Sequence, residues 1–127
     1  MVNSCICGNN IAFSNCCEPY LKGSAIPSEP EQLMRSRYSA YALGGFGEYL
    51  LKTWFPPMAK NLRVSELSEK TQQWIKLDVL GSGHTDTEGW VEFKATYQTN
   101  SGKSVMHEKS VFTRIEQQWF YIGGEII

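Results

Sequence analysis

The feature that most constrains this chain is the placement of its cysteines: Cys5, Cys7, Cys16 and Cys17 all fall within residues 1–17, and the remainder of the sequence has none. The two close pairs are separated by residues 8–15, enough chain to fold back and bring four sulfurs together. Divalent zinc accepts four thiolates in a tetrahedron, and a short polar segment with no core of its own needs such a centre to be ordered. Disulfides are a competing arrangement. Adjacent Cys16 and Cys17 bond to each other only with strain, so both would have to reach back to Cys5 and Cys7. Iron–sulfur ligation or free thiols are the third, although the spacing does not match the ferredoxin runs. Gly8, directly after Cys7, favours zinc, because glycine permits the tight turn that points amide hydrogens at a charged sulfur. Four thiolates would close the coordination shell, giving zinc a structural role and not a hydrolytic one.

With 127 residues, 42% of them hydrophobic and 13% aromatic, the chain can bury a core of its own. No apolar run approaches the roughly 18 residues of a membrane span, and the N-terminus lacks the basic start and apolar run of a secretory signal. The expected compartment is the cytoplasm, where thiols stay reduced. Met1–Arg63 carries six basic against four acidic residues and Val64–Ile127 six against nine, net +2 and −3. That asymmetry is mild and forms no basic stripe, so neither nucleic acid nor membrane is an expected partner.

The pattern changes period along the chain. Residues 18–27 read as a connector, with Pro19, Gly23 and Pro27. Ser28-Glu-Pro-Glu31 has the form of a capping box, with Ser28 as N-cap and Glu31 reaching back, and opens a helix that Gly44-Gly45 ends. Met34, Tyr38 and Tyr41 mark its buried edge. A second helix is expected from about Phe46 to Trp54, stopped by Pro56-Pro57, and a short third from about Ser65 to Gln73. Alternation then takes over: Ile75, Leu77 and Val79 form one strand, and Val91, Phe93, Ala95 and Tyr97 a second. Two more are expected at about Ser104–Ile115 and Trp119–Ile122. Residues 81–89 read as a long polar loop and Thr99–Gly102 as a hairpin turn. Helices and then four successive strands predict an α+β domain, an antiparallel meander wrapped over helices.

These residues also carry a resemblance. Cys5-Ile-Cys7-Gly8 with Cys16-Cys17 resembles the SEC-C zinc motif, whose last position is often histidine and is cysteine here. Glu31-Gln-Leu-Met-Arg-Ser-Arg-Tyr-Ser-Ala40, Leu51-Lys-Thr-Trp54 and Trp119-Phe-Tyr-Ile-Gly123 are similar to the bacterial YchJ-like family, so the match spans essentially the whole chain. The resemblance implies a SEC-C-like zinc segment over residues 1–24 and a nuclear-transport-factor-2-like domain over 25–127. In that cystatin-like fold, a cone of helices packs on a curved four-stranded antiparallel sheet. Many members carry a second SEC-C motif at the C-terminus. None occurs before Ile127, so a role that needs two zinc segments is not expected. The resemblance sharpens fold and metal, not activity.

Where such a cone is enzymatic, its open end is a mostly apolar pocket with a few acid/base groups. The residues assigned to line it here are Arg35, Tyr38, Trp54, Glu108 and Trp119. His107 and Glu108 are adjacent on a strand, so only one faces inward, and Met106 and Phe112 at even spacing favour Glu108. A buried Glu108 is most simply paired with Arg35 or Arg37, since buried charges are generally paired. Those arginines lie about 200° apart around a helix and cannot share a face, so one of them should be solvated. Tyr38, Tyr41 and Trp54 fit a core stripe better than a ligand platform, and His84 fits a solvated loop residue. No nucleophile–base pair is identifiable, so no catalytic residue is assigned. The leading reading is a zinc-containing binding or adaptor module for a protein, a peptide or a small molecule. The alternative is a small-molecule enzyme of isomerase or dehydratase type using the cone pocket. Sheets of this kind also often pair two copies through the exposed face.

Overall fold

The computed structural model describes residues 4–127 and runs from short helices into a single sheet. A 3-10 turn at Phe13–Asn15 leads into α1 (Glu18–Leu21), and then come α2 (Pro30–Leu43), α3 (Gly47–Lys52) and α4 (Val64–Leu67). The strands are β1 (Gln73–His84), β2 (Glu88–Thr99), β3 (Gly102–Ile115) and β4 (Gln118–Ile126), paired antiparallel in the order β1-β2-β3-β4. This is the expected α+β architecture. Irregularities at Trp74/Lys76, Val79/Gly81 and Val111/Phe112 bend and twist the ribbon. α2 packs across β1, β2 and β4.

The start of α2 differs in detail from the expected capping box. Glu29 is the N-cap residue and Pro30 opens the first turn. Ser28 donates both its amide (2.8 Å) and its hydroxyl (3.0 Å) to Oε1 of Gln32. Glu31 cannot reach back because Arg35 draws its carboxylate, Nε to Oε2 2.9 Å, one turn further along. At the far end the helix closes on Gly44, whose φ of 74° suits glycine. α2 is also buried on more sides than one stripe: Leu33, Ser36, Arg37, Ser39 and Ala40 are all inside, because the sheet, α3 and the cysteine segment surround it.

Two helices are shorter than expected and one loop is a strand. α3 ends at Lys52 because residues 53–55 leave it to pair with β4: Tyr121 donates its amide to Thr53 O (2.8 Å), and Phe55 donates to Tyr121 O (2.7 Å). α4 covers only Val64–Leu67. Residues 81–84 continue β1 instead of looping, because the Trp90 indole of β2 lies over Gly81 and Gly83; a Cβ on Gly83 would sit 2.9 Å from Trp90 Nε1. The turn between these strands shrinks to residues 85–87.

The inner face of the sheet carries Leu77, Val91, Phe93, Ala95, Phe112 and Trp119. Cys5, Cys7, Cys17 and Leu21 belong to the same buried cluster. Residues 4–24 therefore pack into the core formed by α2, α3 and the sheet. The outer face mixes polar and apolar side chains: His107 and Glu92 are paired at 2.7 Å, the Lys109 ammonium lies 4.9 Å from the Trp90 ring centroid, and Val105 and Val111 are exposed. Among the described residues no helix is long and apolar enough to cross a membrane.

Candidate functional site

Two sites stand out, a cysteine centre against α2 and a cavity between α2 and the sheet. At the first, the turn after Cys5 is closed by Gly8 N donating to Cys5 O (3.1 Å), and Cys5 N donates to Ile11 O (2.7 Å), folding residues 5–11 into a knuckle. The 3-10 turn then presents Cys16, and Cys17 sits at the entry to α1. The four Sγ atoms all lie within 4.8 Å of one another. All four cysteines are free, so the disulfide arrangement is not formed. Cys7 and Cys16 stand 3.7 Å apart, which matches the edge of a tetrahedron with metal–sulfur bonds of about 2.3 Å. The residues thus fit a four-thiolate metal site.

The surroundings supply positive charge and donors to such a centre. Arg35 donates from Nη1 to Cys7 O at 2.7 Å, with Cys7 Sγ at 4.0 Å, and Asn9 Nδ2 lies 3.6 Å from Cys16 Sγ. Burial alone would lower the Arg35 pKa, but its bonds to Glu31 and Cys7 raise it above the ordinary value. Hydrogen bonding from Cys17, helped by the Asn9 amide, holds the Cys7 thiol down at about 5. Burial pushes Cys16 up to about 11, and the Cys7 contact together with burial raises Cys17 as well. Cys7 thus stands beside the Arg35 guanidinium, which reaches the knuckle.

The second site is a cavity of about 240 Å³ roofed by α2 and floored by β2, β3 and β4. Its walls are apolar, with Trp74, Phe93 and Met106 prominent. Arg37 enters from α2 and is 5% exposed. Its Nη1 donates to Leu50 O and Thr53 Oγ1, both at 2.7 Å, and its guanidinium is sandwiched 4.7 Å from the Trp54 ring and 4.6 Å from the Tyr121 ring. Desolvation lowers the Arg37 pKa. Glu108 enters from β3 and accepts from Ser110 Oγ at 2.6 Å. Its carboxylate lies over Gly124 of β4, where any Cβ would collide with it. Burial pushes the Tyr38 and Tyr121 phenols up to about 12, with Glu108 adding to the shift at Tyr121.

Of the residues assigned to the pocket, Tyr38, Trp54 and Glu108 line this cavity, while Arg35 and Trp119 do not. Arg35 is drawn to the cysteine knuckle. Trp119 is 1% exposed, donates Nε1 to Ser28 O (3.2 Å) and packs against His84 at 5.3 Å, at another part of the sheet. His84 is consequently a strand-end residue with a ring partner. His107 points outward to Glu92. Neither arginine of α2 is solvated: the Arg35 side chain is only 13% exposed and Arg37 is inside. Among the described residues Glu108 forms no ion pair with either, contrary to the simplest expectation. Arg37 and Tyr121 are among the cavity residues that sequence reasoning left unassigned to the pocket. Tyr121 could have been found from alternation, two residues after Trp119 on the same face; Arg37 could not, because its burial depends on where α3 and β4 sit.

A family model described as the middle NTF2-like domain of YchJ matches residues 29–124. A UPF0225 protein of Photorhabdus laumondii is 41% identical over 98% of this chain and 81% of its own length. A UPF0225 protein of Geobacter sulfurreducens is 36% identical over 98% and 80%. The solution structure of a SEC-C motif containing protein from Rhodopseudomonas palustris superposes with a TM-score of 0.90 at 31% identity, covering 98% of this chain and 99% of that one. A crystal structure of a SEC-C motif containing protein from Psychrobacter arcticus gives 0.83 at 27% identity, with 99% and 84% covered.

Proposed function

The chain belongs to the YchJ-like UPF0225 family, and from that premise we propose that it is a zinc-clasped binding module. The carrying observation is the convergence of four free Sγ atoms within 4.8 Å, with the Arg35 guanidinium alongside. Zinc is the metal this donor set suits best: four soft thiolates at tetrahedral spacing, with no redox demand. A tetrathiolate zinc centre carries two negative charges, and Arg35 and Asn9 stand where they offset them. With four protein ligands no coordination position is left for substrate, so the metal fixes the knuckle to α2 and β1 while binding is left to the surface and the cavity. Four unpaired thiols suit a reducing compartment such as the cytoplasm.

Native mass spectrometry tests the clasp. One zinc ion per chain is expected, lost in the Cys16→Ser/Cys17→Ser variant. A substoichiometric or redox-active metal on freshly purified protein would refute it. A partner that binds through the knuckle should be lost in the same variant and retained by wild type.

One observation favours a second reading, acid–base catalysis in the cavity: the Glu108 carboxylate faces an apolar chamber without an arginine locked onto it. That reading predicts turnover of a small carbonyl or hydroxy compound, abolished in Glu108→Gln. Wild-type protein inactive against a panel of such compounds that demonstrably bind would exclude it.

A further inference from the structure

The cavity holds two opposite charges that do not meet. Arg37 descends from α2 and Glu108 rises from β3, and among the described residues neither has a partner of opposite charge. Arg37 is buried and Glu108 half-buried, and charges withdrawn from water are ordinarily paired, because leaving water is costly. Each is instead held by neutral groups. Arg37 uses a single nitrogen for Leu50 O and Thr53 Oγ1, and its flat cation is stacked between Trp54 and Tyr121. That leaves the rest of its fork uncommitted to any carboxylate. Glu108 takes one hydrogen bond from Ser110. Tyr38, only 5% exposed, lines the same cavity. Between these groups the walls are apolar and aromatic, including Trp74, Phe93 and Met106.

We propose that this cavity binds a small zwitterion, an aminocarboxylate with an apolar side chain, whose carboxylate meets Arg37 and whose ammonium meets Glu108. Such a ligand supplies the buried Arg37 and the half-buried Glu108 each with its missing counterpart in one step. A lone anion leaves Glu108 unpaired and a lone amine leaves Arg37 so. The size agrees: about 240 Å³ falls below the ~300–1,000 Å³ typical of drug-sized pockets and suits a single small molecule. The apolar side chain rests on Phe93 and Met106.

This inference rests on reading the chain as a binding module, and the test keeps the two separable. Full-length protein with its native metal is titrated with phenylalanine, leucine and methionine, and with the methyl ester and N-acetyl derivative of each. Indole fluorescence, to which Trp54 and Trp74 at the cavity contribute, and amide chemical shifts report binding. At least one parent amino acid is expected to saturate, shifting amides of α2 and β3. Both of its capped derivatives should bind about tenfold or more weakly, as loss of one charge-assisted hydrogen bond demands. Glu108→Gln should bring the parent down to the level of its N-acetyl derivative. No saturable response to any parent, or a capped derivative that binds as tightly as its parent, overturns the proposal. Zinc stoichiometry measured on the same samples tests the clasp independently, so either reading can fail without the other.

Discussion

Arg35 donates a 2.7 Å hydrogen bond to the carbonyl of Cys7, spanning 28 positions in sequence to tie α2 to the cysteine knuckle. The same guanidinium donates from Nε to the Glu31 carboxylate on its other edge, at 2.9 Å. These two bonds fix its orientation beside the knuckle. Replacing Arg35 with alanine should weaken retention of the proposed zinc by about 10- to 100-fold, the usual effect of losing a group that orients a ligand. Competition against a chromogenic chelator measures this, and unchanged retention would show that Arg35 only packs.

Gly8 makes a different demand. Its φ is +95°, and a Cβ there would come 2.8 Å from Leu77 O, a strand carbonyl with no room to move. Gly8→Ala should cost about 1–3 kcal/mol through the left-handed backbone alone, with the β1 collision added. The thermal unfolding temperature should fall by several degrees, and the proposed zinc should dissociate faster from the displaced knuckle.

Metal removal should act first on the N-terminal segment and then on its neighbours. Cys7 and Cys17 are almost completely buried beside Leu33 and Leu50, so a knuckle that opens also uncovers α2. Hydrogen exchange after chelation should accelerate in residues 4–24 and in the first turns of α2, while amides shared by β2 and β3 keep their protection. Uniform loss of protection across all strands would mean that the clasp and the sheet unfold as one unit.

The buried phenols give a prediction in alkali. Tyr38 and Tyr121 are both raised from 10.0 to about 12, chiefly by burial. A group whose folded pKa lies above its unfolded one stabilises fully below the unfolded value and ceases to do so as pH climbs through the folded value. Stability should therefore hold up to about pH 10 and decline between 10 and 12. Tyrosinate absorbance should rise together with unfolding. Tyr38→Phe and Tyr121→Phe should each flatten the decline, and a double variant with an unchanged profile would assign it elsewhere.

The layers of the fold were readable in the chain because they arise from local periodicity: Val91, Phe93 and Ala95 alternate with Glu92 and Lys94, and all three are buried. The cysteine centre was readable for a related reason, since its ligands are close in sequence and of one kind. What local pattern does not carry is competition between partners. Glu31 had two possible roles, and proximity to Arg35 decided against the cap. Residues 81–84 looked like loop because small residues usually mark one, yet here their smallness makes room for Trp90. Trp54 leaves its helix because the edge of β4 offers a backbone pairing invisible from positions 46–54. The burial of Arg37 has the same origin, since the indole it stacks on is the one that β4 recruits.

The contact of Gly8 with Leu77 also carries a statement about time. A chain made from its N-terminus exposes the cysteines first, yet the surface that receives their knuckle is built from α2 and from a strand that ends at His84. During synthesis the metal can be captured by a loop that has nothing to dock on. The clasp is then a preassembled part waiting for its seat, and its docking is one of the last steps by which the nascent chain becomes a single body.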